Sequence, residues 1–446
     1  MKKTIDMTKG SILKNLILFS IPLLLSSVIQ QMYNTVDLLC VGNMLGSTSA
    51  AAVGAGALLI TCLIGLFSGL SVGVNIVIAK FFGAGDKENL QKGIHSAVFI
   101  ALTGGILLTL IGIIGAPYFL NIMNTPSNIM KEAIIYIRIY FLSITSMIVY
   151  NICSGIIRAG GNSRIPMVAQ FIGGIINIIV NILFIFYFEW GIKGAAAATF
   201  CSQTVCAVIV LRYLLLQDGE FNLKLSKLKF YKNIFKQIIY IGLPAGIQSL
   251  VISLSNVVVQ SYINCLDVYS ISAFVYYMKV ELLIYYPIMA IGQAVMTFAG
   301  QNSGAGKYNR VRSGIKISIL LGVSLTIVLS FIVLKSGAFW FGLFDKESNV
   351  IAKGIEIISV TFPFYFIYVI MEVLSSAIRG TGKSIPPMVI ILSNICMLRI
   401  FLLYIIVPKV ESVKGVAAVY PITWASTAAF MLIYYLYSNF CKNNSK

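Results

Sequence analysis

Twelve stretches of this chain are each long and apolar enough to cross a lipid bilayer, and that property decides most of what the chain can fold into. A helix needs about 20 apolar residues to span the hydrocarbon core. The stretches run over 13–41, 50–80, 93–116, 130–157, 165–188, 194–216, 235–263, 268–299, 313–335, 351–378, 385–408 and 415–438. Transmembrane strands are short and alternate strictly between faces, whereas these runs are apolar all round, so they read as helices. The composition agrees: 58% of the 446 residues are hydrophobic and 11% are charged. That leaves too little polar surface to cover a soluble body of this size. A soluble enzyme, a nucleic-acid binder and a disordered scaffold are excluded together. The fold class is an all-α polytopic membrane protein. The apolar run after Met1-Lys2-Lys3 outlasts the core of a secretory signal and is read as the first membrane helix.

The formal net charge of +18 would point to nucleic acid in a soluble protein. Here the location of the charges matters more. With the N-terminus in the cytoplasm, 23 of the 33 Lys and Arg fall in inner loops and tails, 7 in outer loops and 3 inside spans. The positive-inside rule therefore expects both termini to be cytoplasmic. The eight cysteines form no C-x-x-C and mostly sit in apolar segments, as small buried hydrophobes rather than a disulfide or zinc framework. The longest polar stretch, Gln217 to Lys236, is too short to fold as a domain, so this chain carries no nucleotide-binding module. His95 is the only histidine. With no metal cluster and no Ser/His/Asp set, neither catalysis nor a cofactor is implied.

The chain also repeats itself. Arg158-Ala-Gly-Gly-Asn-Ser163 matches Arg379-Gly-Thr-Gly-Lys-Ser384, Gly83-Ala-Gly85 matches Gly304-Ala-Gly306, and Lys193-Gly194 matches Lys414-Gly415, all 221 residues apart. Separated matches at one offset signal a duplication. Each copy holds six spans and so keeps the same orientation, which predicts two pseudo-twofold-related six-helix lobes about the membrane normal. The expected division is residues 1–216 for the N-terminal lobe, 217–234 for a basic cytoplasmic linker, 235–438 for the C-terminal lobe and 439–446 for a cytoplasmic tail. Gly382-Lys383-Ser384 resembles the end of a phosphate-binding loop, but its first glycine is missing and its repeat partner lacks the lysine. A short loop between membrane helices accounts for both copies.

With the residues at span edges counted among the loops, seven ionisable residues are assigned to the spans: Asp37, Arg138, Lys279, Glu281, Glu356, Glu372 and Arg399. Each costs roughly 2.5–3.5 kcal/mol at mid-bilayer, so the deep ones mark a substrate or ion route by default. Tyr33, Asn34 and Asp37 share one face of the first span. Together they offer a carboxylate beside neutral oxygens, which suits H+ or a weakly held Na+. The alternative is a structural carboxylate paired with an arginine such as Arg138. Asn177 and Asn181, with Gln170, need buried partners and either line the same pocket or join helix to helix. Glu281 shares a helix face with Tyr277 and Tyr285, whereas Lys279 does not. Glu372 lies on the stripe of Tyr365 and Tyr368. Carboxylates beside tyrosines form a seat for a lipophilic cation through Coulomb and cation–π attraction. The alternative is an internal ion pair of Glu281 or Glu372 with Lys279 or Arg399. In the repeat, Asp37 corresponds to Val258, Glu281 to Ile60 and Glu372 to Asn151, so the lobes share a scaffold but not their charges.

Taken in order, these pieces resemble the multidrug and toxic compound extrusion (MATE) family over roughly residues 10–440. They are Tyr33-Asn-Thr-Val-Asp37 with Val41-Gly42, Gly83-Ala-Gly-Asp86, Arg158-Ala-Gly-Gly-Asn-Ser163 and Gly191-Ile-Lys-Gly194 in the first half. The second half adds Lys279-Val-Glu281 with Pro287, Gly300-Gln-Asn302 with Gly304-Ala305, Glu372 ahead of Arg379-Gly-Thr-Gly382, and Leu398-Arg399. The resemblance implies an antiporter of the bacterial cytoplasmic membrane that expels small organic cations, often aromatic, against inward Na+ or H+. It also implies a V-shaped pair of lobes opening alternately to each side. Asp37 matches the family's first-helix aspartate, implicated in cation coupling, and Glu281 and Glu372 match second-lobe acids. One departure is Asn181, which stands where the family's fifth helix usually carries an aspartate, and it leaves the ion open between Na+ and H+. The rival is a flippase for lipid-linked oligosaccharide precursors. Four acids against three bases in the spans favour a cationic cargo over such an anion.

Overall fold

The computed structural model describes residues 4–410 and 412–438, with side chains described for all of them except 34, 37–53, 55, 57–59 and 62. Twelve helices among the described residues are long and apolar enough to span a membrane. They are α1 (Ile12–Tyr33), α2 (Leu63–Ala84), α3 (Lys87–Ile122), α4 (Ser127–Ala159), α5 (Arg164–Tyr187) and α6 (Ile192–Leu216). The others are α7 (Lys232–Ile263), α8 (Val268–Gly304), α9 (Tyr308–Lys335), α10 (Ser348–Gly380), α11 (Ile385–Val410) and α12 (Val413–Tyr437). No strand occurs among the described residues. The sequence predicts a break between the first two spans, but helical backbone runs unbroken from Ile12 to Ala84. The intervening segment has no proline to remove a backbone donor, so nothing there interrupts the ladder.

The surface is apolar where that of a water-soluble fold would be polar. Ile106, Leu107, Leu110 and Ile114 on α3, and Leu320, Val328 and Phe331 on α9, point outward and exposed. Asn75, Asn177, Asn181, Gln301 and Asn302 are buried. Hydrocarbon accepts the first set, and the second set needs partners within the protein. Asn75, for instance, donates from Nδ2 to the Gly155 carbonyl at 3.1 Å.

The chain forms two compact units. One holds Ile21–Gly246 with the described residues up to Asp6; the other holds Met7–Ser20 with the described residues from Ile247 onward. The packing boundaries thus fall inside α1 and α7. In the first unit, α2 and the first half of α7 approach until their backbones touch. A Cβ built on Gly69 would lie 2.2 Å from the Gly246 nitrogen, and one on Gly73 would lie 2.4 Å from the Ile238 carbonyl oxygen. In the second unit, the segment leading into α1 is held by the last turn of α8 and the first turn of α9. The Met7 N–H donates to Gln301 Oε1 at 2.9 Å, Asn302 Nδ2 donates to the Met7 carbonyl at 3.1 Å, and Arg310 donates to the carbonyls of Lys9 and Gly10 at 2.8 Å.

The duplication is written into the backbone. Gly85 and Gly306 turn α2 into α3 and α8 into α9 with φ of +69° and +70°. Gly161 and Gly382 end α4 and α10 with φ of +83° and +93°. Both pairs keep the 221-residue offset, and only glycine adopts these angles without strain. Asp86 and Asp267 cap α3 and α8 by accepting the N–H of Asn89 and Ser270, each at 3.0 Å. The side-chain donors of those same residues help hold both carboxyls below the usual carboxylate range.

Gly69→Ala forces the α2 and α7 backbones apart, which overpacking data put at about 1–3 kcal/mol. The expected result is a thermal midpoint in detergent several degrees lower. Gly104→Ala on α3, where a Cβ meets nothing within 4 Å, should leave the midpoint unchanged or higher. Equal midpoints for the two variants would refute the close approach.

Candidate functional site

In the second unit the site starts from a proline. Pro363 has no backbone N–H, and its ring collides with the carbonyl one turn back. Accordingly α10 is helical over Ser348–Thr361, tightens into a 3₁₀ turn at Phe362–Phe364, and restarts at Tyr365. The restart aims the Tyr365 hydroxyl at α8, where it donates to Glu281 Oε1. Tyr277, one turn before Glu281 on α8, donates to the same oxygen at 3.2 Å. One carboxylate oxygen therefore accepts hydrogen bonds from two phenols on two helices.

Aromatic rings wall this carboxylate. Tyr365 and Tyr368 stand 5.8 Å apart between centroids, Tyr368 and Tyr285 6.1 Å. Trp424 of α12 closes on Tyr365 at 4.7 Å and on Tyr368 at 5.5 Å, and Tyr420 lies one turn away on the same helix. Arg399 enters from α11. Arg399 is 3% exposed, and its guanidinium lies 4.5 Å from the Tyr420 ring centroid. No ion pair joins Arg399 to Glu281 among the described residues, and Arg399 Nε has no hydrogen-bond acceptor there. The turns before Arg399 are a π-helix, Leu392–Leu398. Such widened turns displace carbonyls from the helical ladder; the Ile395 carbonyl accepts from Ser255 Oγ at 3.3 Å, and Asn394 Oδ1 accepts from Ser426 Oγ.

Glu372 belongs to a second cluster. Its Oε1 accepts from Ser376 Oγ at 2.7 Å and lies 3.8 Å from Arg379 Nη2, two turns along the same helix. The partner is thus Arg379, rather than Lys279 or Arg399. Gly292 on α8 makes room: a Cβ there would stand 2.7 Å from Glu372 Oε1. In the first unit the repeat places Ser71 at the position of Gly292 and Gly155 at that of Ser376. There Ser71 Oγ donates to the Asn151 carbonyl at 2.6 Å and accepts from Arg158 Nη2 at 3.3 Å. Both arginines are kept, but only the unit with glycine on the facing helix accommodates the acid. Lys279 is exposed and joins neither cluster. Glu356 lies within 3.8 Å of Lys353 and 4.0 Å of Lys414.

In the first unit, Tyr33 is buried and accepts from Gln170 Nε2 at 2.8 Å, with Gly174 of α5 against its ring. Asn181 Nδ2 donates to Asn177 Oδ1 at 3.2 Å, and both amides are buried on α5. Arg138 is exposed and donates from Nε to the Ile113 carbonyl at 3.1 Å. The side chains of Asn34 and Asp37 lie outside the described residues. Sequence reasoning did not select Arg379, Tyr420 or Trp424. The seven-residue spacing of Glu372 and Arg379 and the four-residue spacing of Tyr420 and Trp424 are the signals that mark them.

The chain is similar to known proteins over nearly its whole length. The sequence profile of the MatE family matches twice, at residues 22–183 and 244–405, the repeat offset to within one residue. The Probable multidrug resistance protein YoeA of Bacillus subtilis is 28% identical over 96% of this chain and 94% of its own. The Probable multidrug resistance protein YpnP of the same organism is 26% identical over 89% of each chain. A solved structure described as the outward-facing conformation of a multidrug resistance MATE family transporter superposes with a TM-score of 0.92 at 21% identity, covering 99% of this chain and 100% of that one.

Arg379→Ala leaves Glu372 buried without its cation, a loss of roughly 3–5 kcal/mol for a buried pair. Arg379→Ala combined with Glu372→Gln should regain most of the lost thermal midpoint. A double variant no more stable than Arg379→Ala alone would show that the pair is not coupled.

Proposed function

We propose that this chain, which belongs to the MatE family of multidrug efflux transporters, is a secondary active exporter that exchanges cationic, aromatic organic compounds for inward Na+ or H+ by alternating access. The observation that carries the reading is Glu281. It is a carboxylate within a membrane span, held by the Tyr277 and Tyr365 hydroxyls inside a ring of aromatic faces. Aromatic faces attract organic cations, and a carboxylate among them adds a full charge in a medium that screens little. The names of the relatives, multidrug resistance proteins, point the same way.

The physical basis of exchange is neutralisation. An ionised carboxylate in hydrocarbon is unfavourable by roughly 2.5–3.5 kcal/mol, so it favours whichever cation reaches it, and one charge is countered by one cation at a time. In this proposal Glu281, with Tyr277, Tyr285 and Tyr368, seats the organic cation, while Arg399 stands on the Tyr420 ring beside them. Glu372, tied to Arg379 and Ser376, steadies α10 behind that seat. Asp37, with Tyr33, Asn34, Asn177 and Asn181, holds the coupling ion in the first unit. There the Tyr33–Gln170 and Asn177–Asn181 bonds supply neutral oxygens on α1 and α5. Linkage makes the two events reciprocal: an ion that weakens cargo binding is itself weakened by cargo to the same degree. The orientation with both termini cytoplasmic is part of the proposal and rests on the distribution of Lys and Arg.

In proteoliposomes under an imposed Na+ or H+ gradient, the wild type should move a fluorescent organic cation against its own gradient. Asp37→Asn should reduce that movement at least tenfold while keeping the thermal midpoint. Gradient-driven movement retained by the variant would remove Asp37 from coupling. If dye stays put under both gradients while a lipid-linked precursor crosses, the exporter reading gives way to the flippase.

A further inference from the structure

The segment between α6 and α7 carries Lys224, Lys227, Lys229 and Lys232 within nine residues, yet it does not hang free. It folds back on the first turns of α3. His95, 3% exposed, accepts the Lys224 N–H at Nε2 (3.1 Å) and donates from Nδ1 to the Gln91 carbonyl at 2.7 Å. Gln91 Nε2 donates to the Glu220 carbonyl at 2.6 Å, and the Tyr231 N–H donates to Ser96 Oγ at 3.3 Å. Three side chains of α3 thus fix a segment that would otherwise be a mobile connection.

The folded-back segment and α3 border an open cleft of about 590 Å³. Lys87, Lys92, Lys224 and Lys227 line it, against Glu88 and Asp218. Lys92 pairs with Glu88, and Lys87 with Glu220 at 2.9 Å. With those pairs formed, Lys224 and Lys227, both exposed, stand against Asp218 alone, which leaves one positive charge in excess. Beside them, Leu225 is 55% and Phe230 44% exposed. The cleft lies at the first turn of a span, where the bilayer's headgroups begin. Lysines beside exposed apolar side chains match the two chemistries of a lipid, phosphate and acyl chain. We propose that this cleft, together with the exposed Leu225 and Phe230 next to it in the chain, binds an anionic phospholipid, with the phosphate on Lys224 and Lys227 and the chains against Leu225 and Phe230. Basic pockets between membrane helices recognise anionic headgroups in this manner.

The test uses the full-length protein in nanodiscs of mixed phosphatidylcholine and phosphatidylglycerol, with the retained lipid read by native mass spectrometry. The wild type should retain phosphatidylglycerol in preference to phosphatidylcholine. Lys224→Gln with Lys227→Gln should lower that preference roughly tenfold, and Leu225→Ser with Phe230→Ser should lower it several-fold. All four side chains are exposed, so the thermal midpoints should match the wild type. Lys335→Gln with Lys409→Gln, on other loops, should change nothing. An unchanged preference in both linker variants overturns the site. So does equal loss of phosphatidylglycerol on adding inorganic phosphate to the wild type and to the Leu225/Phe230 variant, because the cleft would then bind free phosphate and not a lipid.

Discussion

Charge in hydrocarbon is unfavourable by a few kcal/mol per group, and the placement of the described acids in the spans follows from that. Glu356 sits near a helix end and draws on Lys353 and Lys414. Glu372 is met by Arg379 on its own helix and by Ser376. Glu281 is different, for its direct partners are neutral phenols, and the nearest cation, Arg399, rests on an aromatic ring instead of on the carboxylate. Of the three, Glu281 alone is left with its charge unmatched by direct contact among the described residues. That is the property a carrier of cations needs, since a fully compensated carboxylate has nothing to offer a cargo.

The duplicated scaffold shows how such a site arises without disturbing the fold. Turn glycines keep their left-handed angles in both copies, and the arginines at 158 and 379 are both retained. What differs is small. Ser71 faces Gly155 in one unit, and Gly292 faces Ser376 in the other. Moving the glycine to the opposite helix opens the volume that Glu372 fills. Interiors packed like crystals tolerate a larger side chain only where a neighbour is smaller, and Glu372 in place of Asn151 goes with Gly292 in place of Ser71.

The spans were legible because a bilayer demands about 20 apolar residues at a stretch, and no tertiary contact overrides that demand. The repeat was legible because turn geometry needs glycine at fixed places. The pairing of Glu281 with Tyr277 was legible as a one-turn spacing. Other features depend on approach between distant segments. Tyr365 reaches Glu281 only through the break at Pro363, and Trp424 closes the aromatic wall from a helix more than fifty residues further on. The boundary of the packing units inside α1 and α7 follows from backbone contact at Gly69 and Gly246, which periodicity does not reveal. The linker read as a charged connection, and only His95 and Gln91 show it to be fixed. Asp37 and Asn34, on which the coupling assignment rests, lie outside the described side chains.

The central claim is that an incompletely compensated carboxylate within an aromatic wall binds an organic cation. Equilibrium binding of tetraphenylphosphonium to the purified protein tests it most directly, comparing the wild type with Glu281→Gln. A loss of at least tenfold in affinity, with the thermal midpoint retained, is the predicted result. Equal affinity in the two proteins would place the cation elsewhere and contradict the account.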